Sequence, residues 1–268
     1  MSESERVSVP GTLLAALTFF TRLPRPPIPA YRASDDKHAA AFAPWIGVLV
    51  GLFTGVVGVL GNAAFGAVVA AVLAVFATVW LTGALHEDGL ADFCDGFGHA
   101  HGRERTLEIM RDPRCGVYGV LGLVGIVLTR MVSLYVLLSA LPPLALAAVL
   151  VAIAALSRGF AVTPMRSHGY ARAGDDAARG ARLSQPLCGA WLVTCLLGAL
   201  APAAFGAIYL SPFVLLIVPA MWCVQWLTTR TFLRRLGGYT GDCLGTIQQL
   251  TEVTGLLALV ALAKYGML

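Results

Sequence analysis

The chain has 268 residues, 57% of them hydrophobic and only 13% charged, with a mean hydropathy of +0.76. That balance lies far from the soluble norm of about half apolar and a quarter charged, so the expected solvent is a bilayer. The formal net charge of +4 is modest, and the basic residues form no patch interleaved with aromatics, which argues against nucleic acid as a partner.

At the N-terminus an apolar run of about ten residues follows Glu3 and Glu5 rather than a basic region, and so does not read as a signal peptide. Residues 11–20 are expected to lie along the membrane surface or to re-enter it, and Pro24, Pro26, Pro27 and Pro29 stop any helix there. Residues 1–43 form a cytoplasmic or interfacial segment in this reading.

Apolar segments matching the roughly 20 residues a crossing needs follow at 44–61, 64–84, 116–139, 142–162, 187–209, 211–231 and 250–267. The expected fold is therefore all-α: a polytopic membrane protein of about seven transmembrane helices, in one domain covering 1–268. The 29 glycines and the Ala/Val/Leu runs suit close-packed membrane helices. The stretch 44–84 is broken only at Gly61–Asn62 and, at about 1.5 Å per residue, is too long for one crossing, so a hairpin is expected.

The loops test this count. Arg22, Arg25, Arg32 and Lys37 precede the first span; Arg103, Arg105, Arg111 and Arg114 separate the second and third; Arg166, Arg172, Arg179 and Arg182 follow the fourth; Arg234 and Arg235 follow the sixth. All fall on one side, and the intervening connections near Gly61–Asn62, Leu141–Pro142 and Leu210–Ser211 are uncharged. The positive-inside rule then places the N-terminus and the loops at 163–186 and 232–249 in the cytoplasm, with the C-terminus outside. The polar segment 167–186 reads as a connector rather than a lid. The six cysteines contain no C-x-x-C pair, so neither a disulfide framework nor a zinc site is expected.

Chemistry concentrates in residues 85–116, LHEDGLADFCDGFGHAHGRERTLEIMRDPRCG. If a helix continues from the second span, Asp88, Asp92 and Asp95 recur at i, i+4 and i+7 and share one face. Three carboxylates so placed raise one another's pKa and call for a cation. All-oxygen ligands favour Mg²⁺ or Mn²⁺, and Mg²⁺ brings substrate phosphates with it. Arg105, Arg111 and Arg114 are suited to clamp phosphate oxygens, and Arg105, Glu108 and Asp112 form a second periodic set that Pro113 should end. Together these features point to phosphoryl transfer.

His86 reads as an orienting partner or general base, His99 and His101 as residues of a glycine-rich turn, and Cys94 as packing. Arg158, in the apolar fourth span, is a functional candidate by default, with snorkelling as the alternative. Gly237, Gly238, Gly241 and Gly245, with Thr240 and Asp242, suit backbone approach to a phosphate. Arg130 lies too deep for a surface site unless it lines a wet cavity or its helix starts later.

The stretches FFTRLP at 19–24, HEDGLADFCDG at 86–96, RERTLEIMRDPRCGVYG at 103–119, SRG at 157–159 and GGYTGDCLG at 237–245 resemble, in the same order, the cobalamin synthase (adenosylcobinamide-GDP ribazoletransferase) family. One departure stands at Glu87, where that family usually carries a hydrophobic residue. The resemblance implies a bacterial inner-membrane enzyme that joins adenosylcobinamide-GDP to α-ribazole or its 5′-phosphate with Mg²⁺, releasing GMP. It implies Asp88, Asp92 and Asp95 as metal holders, with Asp112 and Asp242 as further contributors. Arg105, Arg111, Arg114, Arg158, Arg166 and the Gly241–Asp242 turn would then face the diphosphate, and an aspartate or His86 would take the hydroxyl proton. Membrane lipid is the expected surroundings, and a homo-oligomer is compatible with the sequence. Asp92-x-x-Asp95-Gly96 also resembles the opening of the CDP-alcohol phosphotransferase signature, whose later aspartates are absent here. That class, a prenyltransferase using Asp88 and Asp92, and a transporter are the rival readings.

Overall fold

The computed structural model describes residues 8–24, 34–99, 101–172 and 187–268. Arg25, Arg32, Arg179, Arg182, Pro26, Pro27, Pro29 and most of the 167–186 connector lie outside the described residues. Ten α-helices occur among those described: α1 (Val9–Phe20), α2 (Ala43–Phe65), α3 (Ala67–Thr82), α4 (Leu85–His99), α5 (Arg103–Ile109), α6 (Val117–Ala140), α7 (Pro143–Val162), α8 (Gly189–Tyr209), α9 (Ile217–Leu236) and α10 (Gly241–Lys264). Short 3₁₀ turns precede α2 and α9 and extend α7. No strand forms among the described residues, and their one isolated β-bridge joins Tyr170 to Tyr239.

Six helical stretches are long and apolar enough to cross a membrane, and α3 with α4 makes a seventh if that bent pair counts as one. The chain is thus an all-α polytopic membrane protein. At twelve residues, α1 is too short to cross. It packs Ala15 and Ala16 against Phe42, Ile46 and Leu81, and Ser8 caps it while donating its backbone N–H to Asp35 Oδ1 at 2.8 Å.

At the centre lies α7, buried along nearly its whole length. Leu146, Val149, Ile153 and Leu156 meet Ala70 and Ala74 of α3, Leu134 and Leu137 of α6, Met221 of α9, and Leu256 and Leu259 of α10. Gly47 and Gly51 let α2 rest directly on the α7 backbone: a Cβ at Gly47 would come within 2.4 Å of Ala154 O. Such small-residue contacts replace the hydrophobic driving force that lipid does not supply. The outer helices turn large apolar side chains outward, among them Leu60, Phe76, Trp80, Leu121, Ile208 and Trp222.

Three boundaries differ from expectation, each for a local reason. The hairpin turns at Gly66 (φ +81°) rather than at Gly61–Asn62. The second span does not run on into the acidic segment: Gly83 (φ +66°) and Ala84 (φ +58°) are left-handed, and α4 leaves α3 at 90°. We therefore read α4 as lying across the end of the bundle rather than crossing it. Finally, α10 begins at Gly241, nine residues before the apolar signal starts, because its first turns bury Thr246, Gln248, Gln249 and Thr251 inside the bundle.

Candidate active site

The end of the bundle is assembled from α4 and from the adjoining ends of α6, α7, α9 and α10. Gly89 sets its geometry. A Cβ there would stand 2.9 Å from Asp242 Cα, so its absence lets α4 cross the start of α10 in direct backbone contact. Thr240 caps α10, accepting the Cys243 N–H at 3.3 Å, and this fixes Gly241 and Asp242 in the first turn.

Residues 169–171 lie alongside residues 237–239. Ala171 N–H donates to Tyr239 O at 2.8 Å and Tyr239 N–H to Gly169 O at 3.1 Å. Any side chain at Gly238 would enter this seam, since its Cβ would lie 2.5 Å from Gly169 O. Arg103 ties the region together, donating Nε–H to Leu236 O and Nη2–H to Ala171 O, both at 2.8 Å. Arg235 donates to Phe97 O at 2.9 Å and lies over the Phe97 ring.

The three aspartates of α4 have different surroundings. Asp88 is exposed, Asp92 half-buried and Asp95 buried. Burial first, then the nearby Asp242 and Asp88 carboxylates, push Asp92 up to about 7, although Arg172 draws it partly back. Asp95 is directed to the start of α6. Its Oδ2 accepts Gly116 N–H at 2.7 Å and its Oδ1 accepts Gly119 N–H at 2.9 Å, a charged cap on that helix's N-terminus. Asp242 Oδ2 receives Arg172 Nη2 at 2.6 Å. Among the described residues, no three His, Cys, Asp or Glu side chains are already grouped to hold a metal ion.

Asp112 stands apart from this group. It accepts from Arg114 N, Nε and Nη2 at 3.0, 2.9 and 2.6 Å, and that pairing holds its carboxyl well below the usual range. Arg105 pairs with Glu108 at 2.7 Å on the surface of α5, which stops at Ile109, before Asp112 and Pro113. Arg111 and Arg166 are exposed. All six cysteines are free, and His99 packs edge-on against Tyr118 with Nδ1 at 3.3 Å from Asp95 O.

Behind Asp88 and Asp242 a cavity of about 260 Å³ enters the bundle. Phe19, Phe20, Tyr170 and Tyr239 form its aromatic walls, while His86, Gly241, Gly245 and Arg158 also line it. The His86 ring lies parallel to Phe20, 6.2 Å between centroids.

Arg158 does not snorkel: it is 2% exposed and belongs to a buried charge network. Glu252 takes Arg158 Nη1 at 3.7 Å and Arg130 Nη2 at 3.1 Å, while Arg130 Nη1 reaches Glu87 Oε1 at 2.7 Å. Gln248 joins Glu252 and Ser157. Arg130 thus lies deep because it has a buried partner at each end, and Glu87 is engaged with it.

Sequence reasoning did not single out Arg172, Tyr170 or Tyr239 as site residues. The GGYTG turn was a usable signal for Tyr239. Arg172 and Tyr170 sat in a stretch read as a plain connector.

Comparison with known proteins identifies the family. The family model described as Cobalamin-5-phosphate synthase matches residues 12–260. Proteins named Adenosylcobinamide-GDP ribazoletransferase are similar throughout. The one from Leptothrix cholodnii is 41% identical over 92% of this chain and 93% of its own length. That from Shewanella amazonensis is 40% identical over 93% and 94%, and that from Vibrio cholerae 34% over 94% of each. No solved structure matches the chain. The chain belongs to the Cobalamin-5-phosphate synthase family.

Proposed function

We propose that this end of the bundle joins adenosylcobinamide-GDP to α-ribazole or its 5′-phosphate, releasing GMP. The observation that carries the reading is that Asp88 and Asp242 line an apolar cavity, with the neighbouring Asp92 raised by burial and by both carboxylates and drawn partly back by Arg172. Family membership supplies the substrates.

The donor set fits Mg²⁺. Its donors are carboxylate oxygens, and after burial the nearby Asp242 and Asp88 carboxylates add to the upward push on Asp92. Mg²⁺ is usually held by one or two carboxylates plus substrate phosphates and water, so three ready-grouped side chains are not required. Asp88 and Asp92 would hold the ion, with Asp242 beside them once Arg172 turns to the diphosphate. When bound, Mg²⁺ supplies charge neutralisation at the transferring phosphorus and at the leaving phosphate.

This chain's own residues do the rest. The Gly241–Asp242 turn presents backbone N–H groups at the start of α10, where the helix dipole favours an anion. Arg172 gives a guanidinium within reach of the diphosphate. The ribazole hydroxyl attacks the phosphorus attached to cobinamide, and Asp88 or His86 takes its proton as GMP departs. Asp95 contributes by fixing α6 against α4.

The site faces the cytoplasm of a bacterial inner membrane in this reading. The support is that Arg22, Lys37, Arg103, Arg166, Arg172 and Arg235 lie in the connections at this end of the bundle or in the short helices and helix ends beside them. Purified protein in detergent should release GMP from adenosylcobinamide-GDP only when α-ribazole or its phosphate is added, and chelation should stop it. Release of CMP from CDP-diacylglycerol instead would replace this reading with the phospholipid one.

A further inference from the structure

We infer that the outer face of α9 is a binding site for an anionic phospholipid. Arg230 and Arg234 take its phosphate, and Trp222 and Trp226 lie along one of its acyl chains. The site is separate from the cavity and from the acidic helix.

The sequence builds one stripe. Trp222, Trp226, Arg230 and Arg234 recur every four residues, which on a helix places successive members one above another. All four are exposed, as is Leu227 beside them, so the stripe looks out of the bundle. Its character changes along its length, with two indoles first and two guanidiniums after them, toward the end of α9 that meets α4.

Depth fits a headgroup. The span from Pro212 to Leu236 has 25 residues, more than the roughly 20 that a crossing needs, and Arg230 lies six residues before its end. The last two turns therefore bring both arginines to the level of the lipid phosphates, and their long stems reach outward from the helix. Trp226 and Trp222 stand one and two turns deeper, among the chains.

Charge selects the kind of lipid. Arg235 turns inward and donates to Phe97 O at 2.9 Å, whereas Arg230 and Arg234 have no carboxylate partner among the described residues. Arg230 lies over the Trp226 ring, 5.2 Å from its centroid. That contact uses the face of the guanidinium and leaves its N–H edge for phosphate oxygens, which a planar fork engages in pairs. Two unneutralised cations one turn apart at the edge of the hydrocarbon call for an anion. A zwitterionic headgroup brings an ammonium along with its phosphate. An anionic one brings net negative charge, worth about fivefold in affinity for each nearby arginine.

Native mass spectrometry of the full chain, released from detergent micelles holding equal amounts of phosphatidylglycerol and phosphatidylcholine, tests the site. Wild type should retain phosphatidylglycerol at least about tenfold over phosphatidylcholine. Arg230→Gln and Arg234→Gln together should bring the two lipids within about threefold of each other, while Lys at both positions should keep most of the preference. A second measurement needs no change at the arginines. Tail-brominated phosphatidylglycerol should quench the tryptophan fluorescence of the wild type more than brominated phosphatidylcholine does, and Trp226→Phe should remove most of that difference. Equal retention of the two lipids by wild type overturns the inference. So does a preference that the paired Gln changes leave intact, which would put the anionic lipid on other basic residues. A lipid-free dimer that the same changes dissolve would give this face to a second copy of the chain instead.

Discussion

Glu87 and Asp88 are neighbours in sequence yet belong to opposite kinds of charge cluster. Glu87 points into the bundle, where two carboxylates and two guanidiniums, Glu87, Arg130, Glu252 and Arg158, cancel one another under nearly complete burial. Asp88 lines the cavity with Asp242; both carboxylates act on Asp92, and Arg172, paired with Asp242, offsets them in part. α10 repeats the division, with Glu252 in the balanced cluster and Asp242 in the unbalanced one. A balanced buried network holds helices together. An unbalanced one at an opening favours a cation, and the proposed function rests on that excess of charge rather than on its amount.

The largest expected effect breaks the unbalanced cluster. Asp92→Asn should lower GMP release by on the order of 10²–10³-fold, the usual cost of losing one group that stabilises developing charge. The same change should leave the metal-free protein at least as stable in thermal unfolding, because it removes a repelled carboxylate. Near-normal turnover would place the metal elsewhere. Arg130→Met tests the balanced cluster. It strands Glu87, and breaking a buried pair from one side costs about 3–5 kcal/mol, which thermal unfolding in detergent would register as a large drop in midpoint. An unchanged midpoint would mean that water, not Arg130, solvates Glu87.

Asp95→Asn sharpens the boundary between the two. With both oxygens on the α6 N-terminus, its loss should cost about 1 kcal/mol of stability and leave the Mg²⁺ concentration for half-maximal turnover within about threefold. A tenfold rise at unchanged stability would make it a metal ligand instead. The smallest effect is in pH. Because Asp92 is pushed up to about 7, the folded chain keeps a proton there that an unfolded one loses near 4. Metal-free stability should therefore fall as pH rises between those values. Added Mg²⁺ should raise the unfolding midpoint more at pH 8 than at pH 6, and an equal rise would remove Asp92 from the cation site.

How much of this was legible depended on distance along the chain. The crossings were readable because each is a continuous apolar run, and the stripe of Asp88, Asp92 and Asp95 because helical periodicity is local. The start of α10 was missed because Gln248, Gln249 and Thr251 look like a loop until the bundle that buries them is known. Arg158 looked like a phosphate ligand for the same reason.

The sequence alone determined an all-helical membrane chain and a short acidic helix that holds Asp88, Asp92 and Asp95. These follow from hydropathy and period, which act over a few turns. Only the tertiary structure decided which charges neutralise one another. Glu87 meets Arg130 from 43 residues away, Arg172 meets Asp242 from 70, and Asp95 is drawn to the α6 N-terminus. Pairing energy depends on distance in space and on burial, and neither is written in any single stretch of the chain.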